Sequence, residues 1–68
     1  MTIVDARGLS CPQPVLMTQQ ALLLSPDVCK VLVDNPAARA NVTRFANKAG
    51  YSVDASQENG DYILLIKK

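Results

Sequence analysis

The sequence predicts an α/β (α+β) fold: a two-layer sandwich of order βαβαββ, with two helices on one face of a four-stranded mixed sheet. Three observations support this prediction. Short β-branched runs alternate with helical apolar spacing, a proline stands at the start of each predicted helix, and Asn59-Gly60 marks a hairpin near the end of the chain. Because strand–helix–strand crossovers make consecutive strands parallel while a hairpin is antiparallel, the sheet has to be mixed.

The first half of the chain supplies one strand–helix–strand unit. Ile3-Val4 is a short β signal. We expect the first helix over residues 12–24, because Pro12 suits a first helical turn. The β-branched segment Val28–Val33 then predicts the second strand. Mostly apolar residues recur at helical spacing in the first helix, namely Val15, Leu16, Gln19, Leu22 and Leu23.

The second half adds another helix and a hairpin. A capping side chain in Asp34-Asn35 followed by Pro36 predicts a helix start, and Gly50 is a typical residue just after a helix end. Polar and apolar residues alternate from residue 51 to residue 56, and residues 61–67 form the predicted last strand. The expected apolar stripe of the second helix is Ala38, Val42, Phe45, Ala46 and Ala49, and its solvated basic residues are Arg39, Arg44 and Lys48.

Length and charge limit the classes of function. With 68 residues, the chain predicts a single domain over residues 1–68. Seven Lys and Arg against six Asp and Glu give a net charge of +1, which is too small for a non-specific nucleic-acid binder. The apolar runs are too short to cross a membrane, and the N-terminus lacks a signal-peptide pattern, so we expect a cytoplasmic protein.

The residue types that are missing also narrow the chemistry. Histidine is absent, which excludes Cys-His and Ser-His-Asp catalysis and removes the commonest zinc ligand. The two cysteines, Cys11 and Cys29, match neither a CxxC redox pair nor a zinc-ligand spacing. We therefore expect no metal and no cofactor. Because Cys29 alternates with Val31 and Val33, we place it in the core.

Cys11 is the candidate nucleophile. It stands between a strand-exit loop and a helix start, where the helix dipole favours a thiolate. Pro12 and Pro14 lack N–H groups, which weakens that stabilisation, but their fixed φ angles stiffen the helix start and aim the sulfur. A thiolate without a neighbouring base can still attack an electrophilic sulfur and hold it. Spacing alone leaves open a second interpretation, in which Cys11 is a small buried hydrophobic residue.

The segment around Cys11 resembles a known family. Asp5-Ala6-Arg7-Gly8-Leu9-Ser10-Cys11-Pro12-Gln13-Pro14 matches the pattern D-x-x-G-x-x-C-P-x-P at every fixed position. The pattern is that of the TusA/SirA/YedF family of small sulfur-carrier (sulfurtransferase) proteins, and the chain looks closest to the YedF-type CPxP domain. The likeness continues through residues 33–37 and the terminal hairpin, so it extends over essentially the whole chain.

The resemblance implies a sulfur-relay role. Cys11 would accept sulfane sulfur as a persulfide and pass it on, Pro12 and Pro14 would form a rigid frame, and Asp5 and Gly8 would shape the loop. The donor would be a cysteine desulfurase or a rhodanese-like protein. The acceptor would be a sulfur-relay protein, for example one that serves tRNA thiolation.

Arg7 precedes Cys11 in the same loop and has two interpretations. It could bind substrate, by drawing an anionic donor or by stabilising the persulfide anion, or it could be a solvated surface charge. For Asp5 the alternative to substrate contact is a hydrogen bond that orders the loop. For Gly8 we expect a turn with positive φ.

Two other functions stay open at this point. The chain could be a regulatory docking domain whose CPxP segment is only a rigid turn, or it could deliver selenium, which the YedF type is linked to, by the same cysteine. The last strand carries apolar residues on both sides, so the sheet face without helices is a candidate surface for a weak homodimer. We expect no direct contact with nucleic acid.

Overall fold

The computed structural model describes residues 2–9, 13–24 and 27–68. Within them the elements follow the predicted order βαβαββ, and the predicted fold class is confirmed. Neither helix in these ranges is long and apolar enough to span a bilayer. The elements are β1 Thr2–Asp5, α1 Gln13–Leu23, β2 Val28–Val33, α2 Pro36–Lys48, β3 Ser52–Glu58 and β4 Asp61–Lys67.

The four strands form one mixed sheet in the order β1-β2-β4-β3. β1 and β2 are parallel, and β4 runs antiparallel to both of its neighbours. The register across the sheet aligns Val4, Val31, Leu64 and Ala55 in one row. Because β4 runs antiparallel to β2, the hairpin that leads into β4 lies at the sheet edge where β1 and β2 end.

The core lies between the sheet and the two helices. Alternate residues of β2 and β4 point to the helices and are almost fully buried. Cys29 is one of them, which confirms its predicted place in the core. Burying one Val, Leu or Ile side chain stabilises the fold by about 1.5–3 kcal/mol. The fully buried set from the sheet is Cys29, Val31, Val33, Leu64 and Ile66, and α2 adds Val42 and Ala46.

The residues that α1 buries differ from those that recur at helical spacing in the sequence. Leu16 is 44% exposed, Leu23 is 76% exposed and Gln19 is exposed, although all three recur at helical spacing. Apolar spacing does not point to Thr18, which can be buried because its hydroxyl donates a hydrogen bond to the Pro14 carbonyl at 2.8 Å. The buried residues of α1 are Pro14, Thr18, Ala21 and Leu22.

Both ends of α2 follow the prediction. The Asn35 side chain caps the helix by accepting from the Ala38 N–H at 2.7 Å. At the other end Gly50 has φ +91, and the N–H groups of Gly50 and Tyr51 bond to the carbonyls of Asn47 and Ala46. This is a Schellman motif. Of the expected stripe, Ala38, Val42 and Ala46 are buried and Phe45 is half-buried, but the capping residue Ala49 is exposed.

The hairpin between β3 and β4 has the predicted turn. Asn59 has φ +53 and Gly60 has φ +83, as a two-residue type I′ turn requires. The register places Glu58 opposite Asp61 on either side of it. The turn therefore fixes which side chains of β4 face the helices and which face away.

The sheet face without helices carries apolar side chains, as predicted. Ile3 is 62% exposed, and Leu32, Ile63 and Leu65 are half-buried around it. Lys30 lies in the same row as Ile3 and Leu65. The homodimer expected from this face stays a prediction.

Candidate functional site

The topology brings three of the predicted site residues, Asp5, Arg7 and Gly8, to one edge of the sheet. Parallel strands β1 and β2 both end there, and β4 begins there. We call residues 6–9 the β1-exit loop, because it leads from β1 towards Cys11. Cys11 and Pro12, together with Ser10, lie outside the described residues. Leu9 and Gln13 are the described residues on either side of them.

The β1-exit loop begins as an extension of the sheet. The Ala6 N–H donates to the Leu32 carbonyl at 2.8 Å, which continues the β1–β2 ladder by one residue. Ala6 is almost fully buried, and Leu9 at the other end of the loop packs against the core. Both ends of this short loop are therefore attached to the body of the protein.

Gly8 makes the turn within the loop. Its φ is +78, which confirms the predicted positive φ. Its N–H donates to the Asp34 carboxylate (Oδ2) at 2.7 Å. The other oxygen of Asp34 accepts from the Asn35 side-chain amide at 3.2 Å. The loop is thereby joined to the junction between β2 and α2.

Asp5 orders the loop through Arg7. Its Oδ1 accepts from the Arg7 backbone N–H at 3.2 Å and from Nε at 2.9 Å, while Oδ2 accepts from Nη2 at 2.9 Å. These bonds from Arg7, the side-chain ones first, lower the pKa of Asp5 to about 2. The side-chain bonds to Asp5 in turn raise the pKa of the Arg7 guanidinium above its ordinary value. The loop-ordering interpretation of Asp5 matches this geometry.

Arg7 has a second acidic partner. Its Nη1 lies 3.2 Å from Oδ2 of Asp61, the first residue of β4. Two carboxylates thus surround a guanidinium that is about half exposed. A cation that is already paired attracts a further anion less strongly than a free one. Substrate binding by Arg7 stays a prediction.

Pro14 lies in the first turn of α1 with its side chain fully buried. Its carbonyl accepts the Thr18 hydroxyl, so the ring and the backbone are both held. The start of α1 is therefore packed against the core as well as being conformationally restricted. That Pro14 forms part of a rigid frame for Cys11 stays a prediction.

Two residues of the site, Asp34 and Asp61, were missed by sequence reasoning. Asp34 was considered only as part of a helix cap, but Asn35 makes that cap and Asp34 reaches the loop. Asp61 was counted only as a strand residue. A usable signal existed, because residues that follow β2 and the hairpin meet the end of β1 at the same sheet edge.

The described residues of this edge offer no metal site, and the described cysteine is not reactive. In the described part of the chain, no three His, Cys, Asp or Glu side chains are grouped so as to hold a metal ion. Cys29 is fully buried, and burial raises the pKa of its thiol, so it is not a nucleophile for an outside reagent. Cys11 remains the candidate nucleophile of the sequence.

Comparison with known proteins gives a consistent family. The model of the family described as sulfurtransferase TusA matches residues 2–68. The chain is 35% identical to sulfur carrier protein TusA of Pseudomonas putida strain F1, over 97% of this chain and 86% of the relative. It is 33% identical to sulfur carrier protein TusA of Pseudomonas aeruginosa PAO1, over 97% of this chain and 87% of the relative.

A solved structure agrees with these relatives. The crystal structure of a SirA-like protein from Desulfitobacterium hafniense matches with a TM-score of 0.89 and 34% identity, covering 97% of this chain and 95% of the other. The resemblance stated from the sequence is confirmed at the level of the family, while the YedF-type subgroup stays a prediction. With its matching motif, fold and relatives, the chain belongs to the TusA family of sulfurtransferases.

Proposed function

We propose that this protein is a sulfur-relay carrier that holds sulfane sulfur as a persulfide on Cys11 and transfers it to the thiol of an acceptor protein. The observation that carries the proposal is the complete D-x-x-G-x-x-C-P-x-P motif inside a family match that spans residues 2–68. The relatives named sulfur carrier protein TusA support the same role.

The proposed transfer needs no base and no cofactor. The Cys11 thiolate attacks the terminal sulfur of a donor persulfide, a new S–S bond forms, and the donor's S–S bond breaks. The donor cysteine leaves as a thiolate, and the sulfur remains on Cys11 with any proton that it carried. An acceptor thiolate then repeats the same exchange. No net oxidation occurs, because one disulfide-type bond replaces another.

The other motif residues would serve this step by ordering the loop. We assign Asp5 and Gly8 to shaping the β1-exit loop, and Pro12 and Pro14 to a stiff helix start. Arg7, paired with two carboxylates, would support the loop more than it would attract an anionic donor. These roles rest on the hydrogen bonds of Asp5, Arg7 and Gly8.

The partners follow from the chemistry of the step. The donor has to present a persulfide, as a cysteine desulfurase or a rhodanese-like protein does, and the acceptor has to present a thiolate. An unpaired reactive thiol persists in a reducing compartment, so a cytoplasmic location is part of the proposal.

Mass spectrometry tests the proposal directly. Incubation with a cysteine desulfurase and cysteine should add one sulfur atom to Cys11, and dithiothreitol should remove it. Cys11→Ala should accept no sulfur, while Cys29→Ala, the matched control at a buried thiol, should still accept it. An adduct confined to Cys29, or no adduct at all, contradicts the carrier role. If Cys11→Ala then still bound its partner proteins, the docking-domain alternative would be favoured.

Self-association through the open sheet face is a second part of the proposal. Ile3 is well exposed there, and the face carries charges of both signs, for example Lys30 and Asp54 in the same row as Ile3. A second copy rotated by a two-fold axis can place these opposite charges against each other. Sedimentation equilibrium should show a weak dimer that Ile3→Ser abolishes. A wild-type protein that stays monomeric at high concentration contradicts this part.

A further inference from the structure

We propose that Asp34 is a positioning residue for Cys11. Its carboxylate holds the β1-exit loop in the conformation that presents the cysteine, and the Arg7–Asp61 pair is a second, weaker attachment of the same loop. The inference rests on the proposed carrier function, and it adds two residues that lie outside the D-x-x-G-x-x-C-P-x-P motif.

Among the described residues, the bond from Gly8 to Asp34 is the shortest hydrogen bond between the loop and a distant part of the chain. It joins a backbone N–H to an ionised carboxylate at 2.7 Å, and such charge-assisted bonds are about twice as strong as neutral ones. Gly8 holds φ +78, one of several conformations open to a glycine, so a bond to its N–H helps to select it. Gly8 stands three residues before Cys11 in the sequence, so its position limits where the cysteine is presented.

Asp34 is free to make this bond because a different residue caps α2. Asn35 Oδ1 accepts from the Ala38 N–H, which satisfies the start of the helix. The Asn35 amide then donates to Oδ1 of Asp34, and this leaves Oδ2 for Gly8. The bond from the Asn35 amide therefore orients the Asp34 carboxylate so that Oδ2 faces the loop.

The second attachment is weaker and joins the loop to a different element, β4. Arg7 bonds Asp5 at the end of β1 and Asp61 at the start of β4, so it ties the loop to the hairpin end of the sheet. The Arg7 and Asp61 side chains are both partly exposed, and exposed ion pairs contribute at most about 1 kcal/mol. We therefore assign the larger effect to Asp34 and the smaller one to Asp61.

The role predicts a split between two kinds of reaction. Transfer between two proteins requires the Cys11 sulfur to be in line with the partner's S–S bond, so it depends on how the loop is held. Alkylation by a small reagent needs exposure and ionisation only. Loss of a positioning residue should slow the first reaction much more than the second.

The test compares Asp34→Ala with Asp27→Ala. Asp27 is also exposed, and the structure gives it no hydrogen bond within the described residues, so it controls for the loss of one carboxylate. In Asp34→Ala, NMR should show the Gly8 amide exchanging with solvent roughly tenfold faster. Sulfur transfer from a persulfide-loaded desulfurase should fall about tenfold. Iodoacetamide alkylation of Cys11, measured above its pKa by peptide mapping, should change less than about twofold.

Three results would overturn the inference. The first is Gly8 exchange in Asp34→Ala that equals that of Asp27→Ala. The second is faster exchange with unchanged transfer, and the third is an equal loss of transfer and alkylation. If the wild-type protein takes up no sulfur, the proposed function fails, while the exchange measurement still decides whether Asp34 holds the loop.

A milder variant covers the case in which Asp34→Ala does not fold. Asp34→Asn keeps an oxygen acceptor but loses the charge, so Gly8 exchange and sulfur transfer should both change in the same direction by about twofold to threefold. Wild-type values for both quantities in Asp34→Asn would contradict the inference.

Discussion

The two strand-to-helix junctions of this protein lie at the same sheet edge but are held in different ways. The junction between β2 and α2 has two residues, Asp34 and Asn35, and its helix cap reaches only three residues along the chain. The junction between β1 and α1 spans residues 6–12. Its described part is held by Asp34, 26 residues away from Gly8, and by Asp61, 54 residues away from Arg7.

This difference separates a junction that folds locally from one that needs the finished fold. The cap at Asn35 can form as soon as the first turn of α2 forms. The β1-exit loop reaches its conformation only when β2 and β4 lie beside β1. The loop that leads to the proposed nucleophile is therefore the part of this edge that depends most on tertiary structure. Three predictions probe this difference.

The largest effect should come from Gly8→Ala. An added methyl group has no neighbour within 4 Å among the described residues, so the expected cost is that of the positive φ, about 1–2 kcal/mol. The loop can avoid that cost by leaving its conformation, which would break the bond to Asp34. Sulfur transfer should then fall about tenfold, as in Asp34→Ala. Stopped-flow transfer assays and urea unfolding measure the two quantities.

Gly50→Ala is the matched control for this variant. Gly50 has φ +91 and equally open surroundings, but it lies at the end of α2, far along the chain from the loop. It should lose similar stability, and its transfer rate should stay near that of the wild type. Equal losses of transfer in both variants would show that stability, and not the loop, sets the rate.

A smaller effect is expected from Asn35→Ala, which breaks the locally held junction. Loss of the cap should lower the free energy of unfolding by about 1 kcal/mol. Asn35→Ser lacks the amide that orients Asp34 but keeps a capping oxygen. Because the cap is kept, this variant should regain most of the stability that Asn35→Ala loses. Urea unfolding of the two variants checks this. An Asn35→Ser protein as unstable as Asn35→Ala would mean that the bond to Asp34, and not the cap, stabilises the junction.

The smallest effect concerns pH. Asp5 has a pKa of about 2 in the fold against an ordinary value of 3.8, so its ionised form stabilises the protein above about pH 4. That contribution is lost as the pH falls from about 4 to about 2. In Arg7→Gln the pKa of Asp5 should rise towards 3.8, and the melting temperature should fall less steeply over this range. NMR titration of the Asp5 carboxyl carbon measures the pKa directly, and an unchanged midpoint would contradict the assignment.

Local patterns in the sequence were sufficient for much of the fold. Asn59-Gly60 predicted the hairpin because few dipeptides accept two positive φ angles, and alternation in Val28–Val33 placed Cys29 in the core. The buried face of α1 could not be found in this way. Thr18 is polar by composition and becomes a core residue only through its bond to the Pro14 carbonyl, whereas Leu23 is apolar and lies exposed.

The sequence by itself determined the order of the elements, the caps of α2 and the turn between β3 and β4, since each depends on residues a few positions apart, and its motif carries the proposal that Cys11 holds the sulfur. Only the tertiary structure decided that Asp34 and Asp61 meet the loop before Cys11. Their partners are distant in sequence, and they come together because β4 inserts beside β2 and brings its first residue to the end of β1. Strand order is a property of the whole sheet, and no local segment encodes it.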